Sequence, residues 1–282
     1  MTAQTQDQVG VTPRVNLAER FKAAYGKSQK GLTYDGPLTL HDHVIDVTRI
    51  VVSIVNRTRD YDPRRADALV LASYLHDIGK LDLTFQDMLL RSHRREALTG
   101  LPRVKHEACT FEQNVEVTED DLRSIAAVIE RDTGYRIQEQ HLTDASLLDD
   151  VWAHAVTHHG LFYVSTERIP GEGGEAREAP CIRRQWTTFY PREVTRLTLA
   201  DLLLEYHPLG GAVIVGDIVA SAWQGQGRAI GDVLGQYQTL REFIALIEQD
   251  RTIIETAATM AMRDEKRDHH LADMVRLLLG NW

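Results

Sequence analysis

An apolar run, VLASYL, ends in a histidine and an aspartate, His76 and Asp77, within the stretch YLHDIGKLDLTFQ. Polar groups that follow such a run are costly to bury unless they find partners. The chain must therefore bring other polar segments to this point, or hold something there. Adjacent residues on a helix point about 100° apart, so His76 and Asp77 are not a chelating pair like i and i+4. At a helix end among other helices, each can still reach one cavity from its own angle, and Asp77 has two oxygens with which to bridge.

Several segments offer such partners. From Leu38 the apolar residues follow a helical stripe, with Val44, Val47, Ile50, Val51 and Ile54, and His43 lies on the face of Val47 and Ile50. His41, two residues earlier, is its rival, but His43 has the better phase. His106-Glu107 opens a helical stretch, KHEACTFEQ, and His158-His159-Gly160 closes another. Asp217 stands inside GAVIVGDIVASAW, where a lone carboxylate needs a partner. These positions supply imidazole and carboxylate without thiolate. Such a donor set suits a hard-to-intermediate divalent ion, and not a zinc–cysteine site.

Periodicity predicts an all-α chain. Helices are expected at 15–25, from 38 into the fifties, 64–75, 105–116, 119–131, 144–158, 194–205, 209–224 and 230–280. Pro63 suits a helix start and Gly79 a helix end. Residues 1–37 read as a polar N-terminal segment, partly disordered, and 38–282 as one domain. Residues 165–196 break the periodicity for too long to be a plain connector, and have room for a short hairpin. Within this loop Arg183, Arg184 and Trp186 begin an interleaving of cations and aromatics that suits single-stranded nucleic acid, or else simply packs on the domain.

Composition excludes several classes. The net charge of −9 over 282 residues lacks the broad basic footprint of an autonomous duplex-DNA binder. No apolar run approaches the roughly 20 residues of a membrane span, the N-terminus lacks a secretory signal, and two cysteines, Cys109 and Cys181, make no disulfide framework. A cytoplasmic chain is expected. Gly26-Lys27-Ser28 mimics the end of a phosphate-binding loop, but Phe21 stands where its first glycine belongs, so no ATPase motor is read here. HAVTH, at His154 and His158, lacks the glutamate of a zinc-protease helix.

Taken together, HVIDVTRIV, YLHDIGKLDLTFQ, KHEACTF, THHG and GDIVASAW resemble the HD superfamily of metal-dependent phosphohydrolases. More narrowly, they resemble the stand-alone HD nuclease component of type I CRISPR–Cas interference. The motifs span Leu38 to Trp223, in the family's order. Ala222 departs from it, where an acidic or amide residue often follows Ala-Ser. The resemblance implies an HD-domain helical bundle with an inserted irregular loop. It implies two divalent metal ions (Mn, Ni, Co, Fe or Mg), one held by His43, His76, Asp77 and Asp217, the second by Asp77, His106, His158 and His159. Asp77 and Lys80 would be catalytic, with Lys80 stabilising charge on phosphoryl oxygens, and Gln86 would mark the substrate side. The implied reaction is hydrolysis of phosphodiesters in single-stranded DNA, without a covalent intermediate. Its implied partners are a separate helicase subunit and an RNA-guided surveillance complex. The rival reading is an HD phosphohydrolase acting on small nucleotides, such as dNTPs or cyclic nucleotides.

Overall fold

The computed structural model describes residues 15–27, 38–58, 62–100, 117–157, 162–170, 176–184, 207–253 and 255–256. It is mostly helical, as the periodicity predicts. The central element is the helix α2, Leu40–Arg57, which follows α1 (Leu17–Ala23), β1 (Tyr25–Lys27) and β2 (Leu38–Thr39). Thr39 caps α2 by accepting a hydrogen bond from the Asp42 amide. The helix buries more than one face. Leu40, Val44, Val51 and Val55 enter one apolar cluster, and Val47 and Ile50 enter a second.

The first cluster is completed by α3 (Pro63–Leu75), α5 (Glu119–Thr133) and α7 (Leu147–Thr157), with Leu69, Leu71, Ile125, Ile129 and Val151 buried in it. Asp62 caps α3 and Pro63 opens it, where a missing N–H costs nothing. Thr118 and Asp121 form a capping box at the start of α5. Asp121 also accepts from the Leu17 amide at 3.0 Å, which ties α1 into the bundle. Residues 17–27, assigned by sequence to the N-terminal segment, thus contribute to the main core: Leu17, Ala18 and Phe21 are buried there.

A 3-10 turn, Ile78–Leu81, links α3 to α4 (Leu83–His93), and a single turn, α6 (Glu139–Leu142), precedes α7. The predicted loop contains a regular antiparallel hairpin, β3 (Phe162–Pro170) with β4 (Ala176–Arg184). The second cluster gathers around α8 (His207–Gly225), which packs on α2, α3 and α7. Val219 and Trp223 of α8 meet Ile230 and Val233 of α9 (Ile230–Leu234) and Phe243 of α10 (Leu240–Gln249). The helix expected over 230–280 is therefore broken in its described part. Thr239 and Glu242 form a capping box that starts α10 as a new helix. No helix among the described residues is long and apolar enough to cross a membrane.

Candidate metal centre

Three elements converge at the inner end of the bundle. The helix α3 stops at Leu75, earlier than Gly79 suggests, and Asp77 leaves helical geometry with φ −103° and ψ 15°. That departure solves the problem of two neighbouring side chains: His76 Nε2 and Asp77 Oδ2 come within 3.4 Å of each other. From α2, His43 sends Nε2 to 3.2 Å from Asp77 Oδ2 and 3.2 Å from Asp217 Oδ1, which α8 supplies. One ligand atom each from His43, His76 and Asp217 fits within a mutual 4.8 Å. His43, His76 and Asp77 are buried, and the Asp217 side chain is 13% exposed, at the rim.

The two imidazoles are oriented by their other nitrogens. His76 Nδ1 lies 2.7 Å from the Ser73 carbonyl, an obligate acceptor, so it carries the proton. His43 Nδ1 lies 3.0 Å from Gln224 Oε1, while Gln224 Nε2 donates to Asp46 Oδ2 at 2.8 Å. Asp46 in turn accepts from Arg49 at 2.9 Å. Because the Asp46 carboxylate takes the amide N–H, the amide oxygen faces His43, and His43 Nδ1 is again the donor. Both rings therefore aim Nε2 into the cluster, the arrangement by which outer hydrogen bonds orient metal-binding histidines. His43 Nε2 is buried, and two carboxylate oxygens stand 3.2 Å from it. This buried nitrogen among carboxylate oxygens fits a divalent cation, and the imidazole–carboxylate donor set suits Mn, Fe, Co, Ni or Mg.

Charge at the site is strongly coupled. Burial would raise Asp217, but the Lys27 ammonium and then His43 overcome it and hold the carboxyl well below the usual range. Burial would lower His76, but the Asp77 carboxylate overcomes it, and the ring is held above its ordinary value. Lys80 Nζ donates to Asp77 Oδ2 at 2.5 Å, along one turn of the 3-10 segment.

Five of the residues expected from sequence are thus together: His43, His76, Asp77, Lys80 and Asp217. His41 is not in the cluster; its ring meets the Tyr74 hydroxyl at 3.2 Å and Asp132 at 3.6 Å. Gln86, expected at the substrate, engages backbone. Its Oε1 accepts from the Tyr25 amide at 2.7 Å, and Nε2 donates to the Tyr25 and Lys80 carbonyls at 2.9 and 2.6 Å. His106, His158, His159 and Trp186 lie outside the described residues. Arg183 and Arg184 pair with Tyr163 and Phe162 at the open end of the hairpin. Sequence reasoning missed Gln224, Ser221 and Asp46. The signal was there in part, since Asp217, Ser221 and Gln224 stand at i, i+4 and i+7, on one helical face.

Residues 25–222 match the sequence model of a family described as Cas3, HD domain. No curated protein and no solved structure matches the chain. The matched span begins at β1 and takes in all five converging residues.

Proposed function

The chain belongs to the Cas3 HD family, a family of CRISPR-associated metal-dependent nucleases, and from that premise we propose that it cuts single-stranded DNA during CRISPR interference. The observation that carries this reading is the convergence of His43, His76, Asp77 and Asp217 beside the Lys80 ammonium. A divalent ion bound there supplies polarisation of a phosphoryl oxygen and a more acidic water. The chain's own residues do the rest. His43 and His76 present Nε2 because Gln224 and the Ser73 carbonyl hold their Nδ1 protons. Asp77 lies within reach of both imidazoles, and with His106, His158 and His159 it is proposed as a residue that would hold a second ion. Lys80, on Asp77, is a cation beside the point where charge develops on the phosphate. Arg183, Arg184 and Trp186 are proposed to contact the strand by phosphate pairing and base stacking. Gln86 is proposed to act indirectly, by fixing β1 against the turn that bears Lys80.

The 282 residues carry no phosphate-binding loop, so the helicase of the proposal lies outside them. The acidic net charge supports delivery of the DNA by an RNA-guided complex. The test is incubation of the purified protein with circular single-stranded DNA and Mn or Ni. Cleavage that disappears in Asp77→Ala is expected. Intact DNA together with phosphate or diphosphate released from free nucleotides would overturn the reading in favour of a small-nucleotide phosphohydrolase.

A further inference from the structure

Lys27 has no place in the ligand set, yet the fold delivers it to the cluster. Its Nζ lies 3.9 Å from Asp217 Oδ1 and donates to Ser221 Oγ, and the Ser221 hydroxyl donates to Asp217 Oδ1 at 3.1 Å. The delivery is fixed on both sides of β1. Gly26 lies so close to the start of α2 that a β-carbon on it would stand 2.8 Å from the Thr39 carbonyl oxygen and 3.1 Å from His43 Cβ. Gln86 holds the Tyr25 amide and carbonyl from the other side. The strand passes over the first turn of α2, beside His43, and its next residue reaches α8.

Each carboxylate therefore has an ammonium of its own: Lys80 on Asp77, and Lys27 on Asp217. The two lysines differ in their freedom. The Lys80 side chain is 9% exposed, within the bundle, whereas that of Lys27 is 23% exposed, at the rim with Asp217. A dication drawn to Asp217 takes over the charge that Lys27 neutralises, and repels the ammonium across a few ångströms. A four-carbon stem that is partly exposed can then turn outward.

We propose that Lys27 is an exchangeable counter-ion: it neutralises Asp217 until a divalent ion binds, and then contacts a backbone phosphate of the substrate. The second half rests on the nuclease reading; the first does not. The two halves give opposite effects in one variant, which a merely structural role would not. Mn2+ affinity is measured by titration calorimetry on the full chain. Binding of a fluorescent single-stranded oligonucleotide is measured by anisotropy in Ca2+. Lys27→Met should bind Mn2+ about three- to tenfold tighter, because a repelling charge is gone. It should bind the oligonucleotide about fivefold weaker or more, because a charged phosphate contact is lost. Lys27→Arg keeps the charge and should stay near the parent in both, and Lys27→Gln should repeat the Met result if that variant folds poorly. Weaker Mn2+ binding in the Met and Gln variants would overturn the counter-ion, making Lys27 a support for Asp217. Unchanged oligonucleotide binding in them would overturn the phosphate contact. A parent protein that binds no oligonucleotide would remove the nuclease reading, and with it the phosphate contact, while the Mn2+ comparison still decides the counter-ion.

Discussion

Gly216 and Val47 meet where α8 packs on α2: a β-carbon on Gly216 would stand 3.1 Å from Val47 Cγ1 and 3.3 Å from the Val47 carbonyl oxygen. The next residue is Asp217, and four residues before Val47 is His43, so this contact sets the spacing between two ligands. Two effects of Gly216→Ala oppose each other in stability. Alanine improves helix propensity by about 1 kcal/mol, and the forced separation costs about 1–3 kcal/mol. The melting temperature should move little or fall modestly. Mn2+ affinity, which depends on the spacing, should fall several-fold by calorimetry. Unchanged affinity would show that the close approach does not position Asp217.

Gln224 fixes which nitrogen of His43 faces the cluster. Gln224→Leu keeps the volume but removes the acceptor for the Nδ1 proton, and leaves it buried without a partner. Such a loss costs about 1–3 kcal/mol of stability, and loss of an outer partner lowers metal affinity by about 10- to 100-fold. Chemical denaturation and Mn2+ titration of the same variant test both numbers. A loss of stability with full metal affinity would mean that His43 finds its orientation from packing alone.

The cluster was legible because its chemistry is stated by residue type. His43, His76, Asp77 and Asp217 are anomalies on apolar helical faces, and anomalies of that kind can be read without a fold. What was not legible is what the neighbours do. Gln86 and Gln224 are both polar residues near the motifs; spacing puts Gln224 on the helical face of Asp217, but it does not say that Gln224 holds an imidazole while Gln86 holds strand backbone. In the sequence Lys27 belongs only to a false phosphate-loop match, because only the tertiary path of β1 brings it to α8. The break before α10 was readable, since Thr239-Leu240-Arg241-Glu242 has the spacing of a capping box, but the apolar periodicity ran through it.

Asp67 separates structural from functional buried charge. It is buried on α3, away from the ligand set, and accepts from the Tyr135 hydroxyl at 2.8 Å, the Gln138 amide at 3.0 Å and His141 Nδ1 at 2.6 Å. Asp67→Ala strands three donors between α3 and the α5–α6 connection, and should cost about 3–5 kcal/mol. Urea denaturation should show that loss, while the folded fraction keeps the parent's Mn2+ affinity. A fall in affinity at full folding would place Asp67 in communication with the centre.

The last prediction concerns acid. Arg64 on α3 donates to Asp144 Oδ2 at 2.6 Å and also to Asp150, joining α3 to the start of α7, while Ser146 donates to Asp144 Oδ1 through both its amide and its hydroxyl. The Arg64 guanidinium first, then Ser146, lowers the Asp144 carboxyl to about 2. A depressed folded-state value gives stability that is fully present above the unfolded value near 4, and that is lost as pH falls toward 2. Asp144 is more than a third exposed, so solvent screening limits the pair to about 1 kcal/mol or less. Asp144→Asn should therefore lower the urea midpoint slightly at pH 7, and the gap to the parent should narrow below about pH 4. A gap that stays constant from pH 7 to pH 3 would mean that the charge of the Asp144 carboxylate contributes nothing to stability.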